Sequence, residues 1–274
     1  MRKIYVLLIC LITISCSKEE FDIENLNGNE IISMGHGGMG VGNTYPIDSY
    51  ESILKALNLG MDGSEMDVQM TRDSVLVAFH DQDLSDITNL SGLINSKGWS
   101  EIQDAYYTQT PYLNYSLISL DQLFSHIKNV KKYKFTFDCR LFANSDDTDK
   151  YYSTYINAID KIVQKYDLEN NLYIESQNVN FLNRFKNLDT NYKLFLYSSS
   201  FESGFDIALS NNLWGISMST RNISKEQIEI AHANNLYVAI WNIHTKSDNV
   251  DAINKNPDFI QTDDVKSLVK LLDL

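Results

Sequence analysis

From residue 31 onward the chain alternates short runs of apolar, β-branched and aromatic residues with longer stretches whose apolar positions recur at i, i+3 and i+4. The short runs, each read as a strand, cover residues 31–34, 61–68, 75–79, 133–137, 172–174, 193–197, 214–218, 236–241 and 259–261. Between most of them the helical spacing is carried by sets such as Ile53, Leu54 and Leu57, Ile156, Ile159 and Val163, and Ile228, Ile230 and Ala231. Strand, helix and strand in repetition mean parallel strands with helical crossovers, either a doubly wound sheet or a closed (β/α)8 barrel. Nine runs exceed the barrel's eight by one. The excess vanishes if residues 75–79 form the return arm of a hairpin with the end of the second strand, through Thr71-Arg72-Asp73-Ser74. With Arg72 and Asp73 as the turn, Thr71 pairs with Ser74 and His80 returns opposite Glu65. The predicted fold is therefore α/β, a (β/α)8 TIM barrel with a small insertion after the second-strand hairpin, at about residues 81–117.

No Pro/Gly/Ser linker or charge block interrupts residues 31–274, so nothing marks a second domain. With 43% hydrophobic residues and only 12 Gly and 3 Pro, the composition excludes disordered and collagen-like classes. The first residues follow a different pattern. Arg2 and Lys3 precede a mostly apolar stretch over residues 4–14, too short to span about 30 Å of hydrocarbon, which reads as an export signal over residues 1–15. Thr13-Ile14-Ser15-Cys16 resembles a bacterial lipoprotein signal, in which a small residue precedes an acylated Cys; a cleaved signal with Cys16 as a bystander is the alternative. The polar stretch over residues 16–30 reads as a flexible tether. With Cys10 in the signal and Cys16 lipidated, only Cys139 remains, and no intramolecular disulfide can form. The formal net charge is −13 and becomes more negative once Arg2 and Lys3 leave, which argues against nucleic acid as a partner. An anionic substrate then requires a local exception, such as a bound cation.

The hairpin is where chemistry enters. Glu65 and Asp67 are two apart on one strand, so both carboxylates point to one face near its C-terminal end, where barrel enzymes build their sites. His80 returns beside them, and the first strand runs into Gly35-His36-Gly37-Gly38, which puts a second imidazole on the same rim. Two imidazoles facing an acidic pair are the inventory for a hard divalent cation with two proton-transfer groups.

These residues resemble the glycerophosphodiester phosphodiesterase family, whose members are (β/α)8 barrels, over most of the chain from residue 31 to about 265. The stretches that carry the resemblance are His36-Gly37-Gly38 for the family's His-Arg-Gly, Pro46-Ile47-Asp48-Ser49 for Pro-Glu-Asn-Thr, and Gly60-Met61-Asp62-Gly63-Ser64-Glu65-Met66-Asp67-Val68 for Gly-Ala-Asp-x-Ile-Glu-x-Asp-Val. Thr71-Arg72-Asp73-Ser74 and His80-Asp81 follow in the family's order, then Ile118-Ser119-Leu120, Trp241-Asn242-Ile243-His244 and Ile260-Gln261-Thr262-Asp263. Three departures concern the site. Gly37 stands where the family has an Arg near substrate phosphate, Phe137-Asp138-Cys139-Arg140 stands for a strand carrying Glu-x-Lys, and the carboxylate of Pro-Glu-Asn-Thr is on Asp48. Backbone N–H groups of the loop over residues 38–42 are a candidate replacement for the lost guanidinium.

The resemblance implies metal-dependent hydrolysis of glycerophosphodiesters to glycerol 3-phosphate and an alcohol. Glu65, Asp67 and Asp138 would hold the ion, Ca2+ or Mg2+ from the all-oxygen donor set, and His36 and His80 would divide the acid and base roles. Arg140, with its bidentate fork, is a candidate phosphate ligand, and Arg221, Trp241 and His244, at strand ends, are further candidates for substrate contact. By alternation Cys139 points away from the site into packing. The insertion, with Tyr106, Tyr107, Tyr112 and Tyr115, is expected to cover the barrel mouth and shape the pocket for the alcohol. The expected partners are a small phosphodiester and a membrane reached through lipidated Cys16, making this an exported, membrane-anchored lipoprotein. The alternatives are a lysophospholipid or other lipid phosphodiesterase on the same barrel, and a non-catalytic ligand-binding lipoprotein that lost its phosphate-site Arg at Gly37.

Overall fold

The structure, a computed structural model, describes residues 19–42, 44–113, 115–142, 147–188 and 191–274. The expectations for the export signal and for Cys16 fall outside these residues. Among the described residues ten strands run in chain order: β1 (Ile32–Gly35), β2 (Gly63–Met70), β3 (Leu76–Ala78), β4 (Ile118–Ser119), β5 (Lys134–Cys139), β6 (Leu172–Ser176), β7 (Lys193–Tyr197), β8 (Gly215–Ser219), β9 (Tyr237–Ile243) and β10 (Phe259–Thr262). The helices are α1 (Tyr50–Leu59), α2 (Trp99–Ile102), α3 (Leu120–His126), α4 (Thr148–Tyr166), α5 (Val179–Arg184), α6 (Phe201–Ser210), α7 (Lys225–Ala233), α8 (Lys246–Asn254) and α9 (Val265–Leu272). The sheet order is β1-β10-β9-β8-β7-β6-β5-β2, all parallel, and β1 also pairs with β2, which closes an eight-stranded barrel. Every run read as a strand from the sequence is one, with ends that agree to within two residues. The short β4 is an addition that the apolar pattern does not announce.

The hairpin forms, with a different register. β3 pairs antiparallel with β2 through Val68 and Ala78, Gln69 and Val77, and Met70 and Leu76. The loop holds three residues rather than two: the Thr71 N–H donates to the Val75 carbonyl (2.9 Å), and Ser74 sits in the left-handed region at φ 66°. One extra residue moves the ladder by one, so His80 lies beyond its end instead of opposite Glu65.

Helix starts follow from local chemistry. Ser49 caps α1 by accepting from the Ser52 N–H, and Ser119, Ser224 and Thr245 begin α3, α7 and α8 with capping boxes closed by Gln122, Gln227 and Asp248. The main core lies between strands and helices. A second cluster fills the barrel's lower interior with Met34, Tyr173, Phe195, Ala239 and Phe259, so the barrel is a packed core below its mouth. Gly215 is required there, because a Cβ on it would fall 2.3 Å from the Phe195 ring.

The insertion has a core of its own, built on Val77, Phe79, Leu84, Ile94, Ile102, Ala105, Tyr107 and Leu117. The stretch read as a flexible tether is held to the barrel at its end. The Leu26 N–H donates to Asp258 (2.9 Å), the Asn27 amide to the Asp258 carbonyl (2.9 Å) and the Asn25 amide to the Pro257 carbonyl (2.9 Å), so side chains that read as polar linker satisfy barrel backbone instead.

Candidate active site

Strand register builds the site. Asp67 on β2 pairs with Asp138 on β5, and Asp138 pairs with Glu175 on β6, which sets three carboxylates side by side on neighbouring strands at one level. Glu65 follows two residues before Asp67 on the same face. With His36, His80 and Arg140 these side chains line one cavity of about 220 Å³ at the C-terminal ends of the strands. Tyr197, Trp241 and Gln261 complete its wall, with the rings of Tyr197 and Trp241 stacked at 5.5 Å.

Arg140 bridges two of the carboxylates. Its Nε lies 2.6 Å from Asp67 Oδ1 and 3.3 Å from Asp138 Oδ2, and its second guanidinium nitrogen lies 2.5 Å from Asp67 Oδ1. Glu65 accepts the Gly37 N–H (2.9 Å), and Glu175 accepts the Gln261 amide (3.2 Å). Burial, followed by repulsion from Asp67, Asp138 and Glu175, holds the Glu65 carboxyl well above its ordinary range. Burial also raises Asp138 well above its range against the opposing pull of Arg140, and it raises Glu175. Asp48, buried behind Asp67 with Oδ1 on the Asp67 N–H (3.1 Å), is likewise pushed far up by burial and by the charges of Asp67 and Glu65.

His36 Nδ1 lies 2.8 Å from Asp263 Oδ1. Burial pulls its pKa down, but the hydrogen bond and charge of Asp263, with Asp67 and Asp48 behind, outweigh this and leave the imidazole above its ordinary value. His80 is more exposed, with Nδ1 2.7 Å from Asp81 Oδ1.

Two expected contacts fall elsewhere. Arg221 lies on an exposed 3-10 turn after β8 and lines no part of the cavity. Asn242 takes a left-handed conformation (φ 66°) where the β9–β10 register shifts, and this bulge turns His244 away from the cavity, its Nδ1 2.5 Å from Asp263 Oδ2. In the glycine-rich loop three N–H groups of residues 38–42 are engaged within the protein and are not free for a phosphate: Gly38 donates to the Gly35 carbonyl (3.3 Å), Met39 to Ser52 (2.8 Å) and Val41 to Asp263 (2.9 Å). None of Tyr106, Tyr107, Tyr112 and Tyr115 lines the cavity; Tyr107 is buried in the insertion's core and Tyr115 packs edge-on against Tyr45.

A family model described as the glycerophosphoryl diester phosphodiesterase family matches residues 39–267. The chain belongs to this family. It is thereby a phosphoric diester hydrolase. A glycerophosphodiester phosphodiesterase of Caldanaerobacter subterraneus is 23% identical over 228 residues, covering 83% of this chain and 92% of that protein. Among solved structures, a phosphodiesterase from Oleispira antarctica in complex with the product sn-glycerol-3-phosphate has a TM-score of 0.76 at 18% identity, over 88% of this chain and 96% of its own. A glycerophosphodiester phosphodiesterase from Parabacteroides distasonis gives 0.73 at 20% identity, over 89% and 97%. At such identities the two structures speak for the barrel fold.

Among the described residues no three His, Cys, Asp or Glu side chains form a ready group for a metal ion. The donor chemistry nevertheless fits a hard cation. Three buried carboxylates, Glu65, Asp67 and Glu175, and the half-buried Asp138 share the cavity with one guanidinium, and Asp67 Oδ2 is buried with no hydrogen-bond partner. Glu175 and Tyr197 were not singled out by the sequence reading, and Gln261 and Asp263 entered it only within the stretch Ile260-Gln261-Thr262-Asp263, with no site role. The available signal was a Glu closing the otherwise apolar Leu-Tyr-Ile-Glu of β6, one residue beyond the run read as strand.

Proposed function

We propose that this enzyme hydrolyses glycerophosphodiesters to glycerol 3-phosphate and an alcohol, with His36 and His80 as the proton-transfer pair. What carries the reading is the convergence of both imidazoles, four carboxylates and Arg140 on one cavity in a chain of this family. With Nδ1 committed to Asp263, His36 keeps Nε2 for the substrate, and the raised pKa suits it to donate a proton to the leaving alkoxide. His80, exposed at the rim, then takes the proton of the attacking hydroxyl. Glu65, Asp67 and Asp138 are the residues that would hold a divalent cation, Ca2+ or Mg2+; when bound, it supplies positive charge beside the non-bridging phosphate oxygens.

The same proposal places the enzyme outside the cell as a lipoprotein anchored through Cys16. Two or three acyl chains on this Cys are enough for stable anchoring. Support comes from the basic, apolar and small-residue order of residues 2–16. In a detergent phase separation the wild type should enter the detergent phase and Cys16→Ser the aqueous one; equal partitioning refutes the anchor.

The activity is tested by release of glycerol 3-phosphate from glycerophosphodiesters, with and without chelator, by wild type and by His36→Ala, His80→Ala, Glu65→Ala and Asp138→Ala. Loss of either imidazole should cost about 10²- to 10⁴-fold in kcat. Loss of a carboxylate should mimic chelation. No release from any diester by the wild type refutes the reading.

A further inference from the structure

The segment before β1 is a strap on the outside of the barrel. Phe21 and Ile23 pack against the main core while Asp22 and Glu24 are exposed, an extended alternation that runs into the hydrogen bonds of residues 25–27 with Pro257 and Asp258. Pro257 and Asp258 lead into β10 at the floor of the barrel. The Glu19 carboxylate, at the other end of the strap, lies 2.9 Å from Lys246 Nζ at the start of α8, on the mouth side. An exposed pair of this kind contributes little by itself, so the packed Phe21 and Ile23 fix the strap and the pair reports where it ends. Cys16 precedes Glu19 by three residues, which puts their Cα atoms at most about 11 Å apart. A free tether from Cys16 to Ile31 would reach about 50 Å.

The rim beside Lys246 is apolar. His244 Nδ1, two residues before Lys246, reaches Asp263 at 2.5 Å, and Asp263 accepts the Val41 N–H at 2.9 Å. The Val41 side chain is 55% exposed. Its loop continues to Tyr45 and Ile47, where the insertion docks through Tyr115, edge-on to Tyr45 at 5.8 Å, and through the Tyr107 hydroxyl, 3.5 Å from the Ile47 carbonyl. The insertion, which begins directly after the cavity residue His80, leaves Tyr106 and Leu113 exposed. Among the described residues, three of the five large apolar side chains left in water thus lie on two adjoining segments at the mouth end. We propose that this rim is a membrane-docking surface, and that its partner is the zwitterionic bilayer that holds the acylated Cys16. The proposal rests on the lipoprotein reading above and adds which end of the enzyme meets the membrane.

Three exposed side chains are too few to hold a protein on a bilayer. An anchor within about 11 Å of the rim keeps them at high effective concentration beside the lipid, so weak apolar contacts are enough to set the orientation. The formal net charge of −13 opposes an anionic surface, which leaves zwitterionic lipid as the partner. The cavity of His36 and His80 then opens toward the headgroups.

The test uses full-length, lipidated protein in phosphatidylcholine vesicles that contain nitroxide-labelled phosphatidylcholine. A fluorophore is attached through Val41→Cys at the rim or through Ala233→Cys, exposed at the end of α7 on the floor side; Cys139 is buried and does not compete for the label. Both proteins should float with the vesicles, the label at position 41 should be quenched, and the label at position 233 should stay bright. Tyr106→Cys, on the insertion, replaces Val41→Cys if that variant does not fold. Proteins that float with the rim label no more quenched than the label at position 233 overturn the docking and leave the anchor standing. Lipidated protein that does not float overturns both.

Discussion

His36 and His244 share one carboxylate: Nδ1 of His36 lies 2.8 Å from Asp263 Oδ1, and Nδ1 of His244 lies 2.5 Å from Oδ2 of the same residue. Asp263 is nearly buried and also accepts the Val41 N–H, so its position is fixed from three sides. Burial would raise its pKa, but the His36 hydrogen bond and charge and the Val41 N–H bring it below the ordinary value, and Asp263 stays anionic across the working range. That anion orients His36 and keeps its proton.

Asp263→Asn should therefore lower the His36 pKa, since the largest influence left is burial, which pulls the imidazole down. If His36 donates to the leaving group, the alkaline limb of the pH–rate profile moves to lower pH with it. Loss of the orienting anion should cost about 10- to 100-fold in kcat. An NMR titration of His36 in wild type and variant checks the first statement, and a pH–rate profile checks the second. A limb that stays in place separates His36 from that limb.

Gly37 is where the family's guanidinium is missing, and restoring Arg there should not restore a better enzyme. Gly37 has φ 53°, and a Cβ on it would lie 2.6 Å from the Ile47 Cβ. The loop between β1 and α1 would have to move, and its shift would pull the Gly37 N–H from Glu65. Gly37→Arg and Gly37→Ala should both lower thermal stability, with a backbone cost of about 1–3 kcal/mol, and both should lower turnover. Higher activity in Gly37→Arg would mean that the loop tolerates the side chain.

Tyr107 anchors the insertion. It is 2% exposed, packs 6.4 Å from Phe79 and sits in a cluster separate from the main core. Tyr107→Ala should destabilise the protein by about 3–5 kcal/mol, as for other large buried aromatics. Because no insertion tyrosine lines the barrel-mouth cavity, ratios of rates among diesters should remain as in the wild type. Denaturant melts and a headgroup panel measure the two effects.

The barrel was legible because strand runs and helical spacing alternate without a break, and Glu65, Asp67, Asp138 and Arg140 were legible because two-residue spacing on a strand fixes a common face. Two of the misreadings lie where a single residue changes direction. Ser74 at φ 66° adds one position to the hairpin loop and shifts the expected partner of His80 by one. Asn242 at φ 66° turns His244 from the cavity to the back of Asp263. Polar residues at these two positions give no measure of how far the chain turns. Glu175 and Gln261 were missed for another reason: their roles depend on which strands are neighbours around the closed barrel, β5 with β6 and β1 with β10, and pairing order is not written in local periodicity.

The crowding of carboxylates makes a last prediction about stability. Glu65 is 2% exposed, and its pKa stands well above the ordinary 4.5 through burial first and the charges of Asp67, Asp138 and Glu175 after it. The folded state therefore binds this proton more tightly than the unfolded chain does. In chelator-treated protein, stability should rise as pH falls from above the raised folded value toward 4.5, where the unfolded chain also takes up the proton and the gain ends. Glu65→Gln removes the charge while keeping the shape, and its amide oxygen can still accept from the Gly37 N–H. At neutral pH this variant should melt higher than chelator-treated wild type, by about 2–4 °C for each kcal/mol of repulsion relieved, and its melting temperature should vary less with pH. Its hydrolytic activity should fall. Scanning calorimetry of both proteins across this range decides the matter: a Glu65→Gln that melts lower than wild type at neutral pH would show that the carboxylate is stabilised by Arg140 and the Gly37 N–H more than it is opposed by its neighbours.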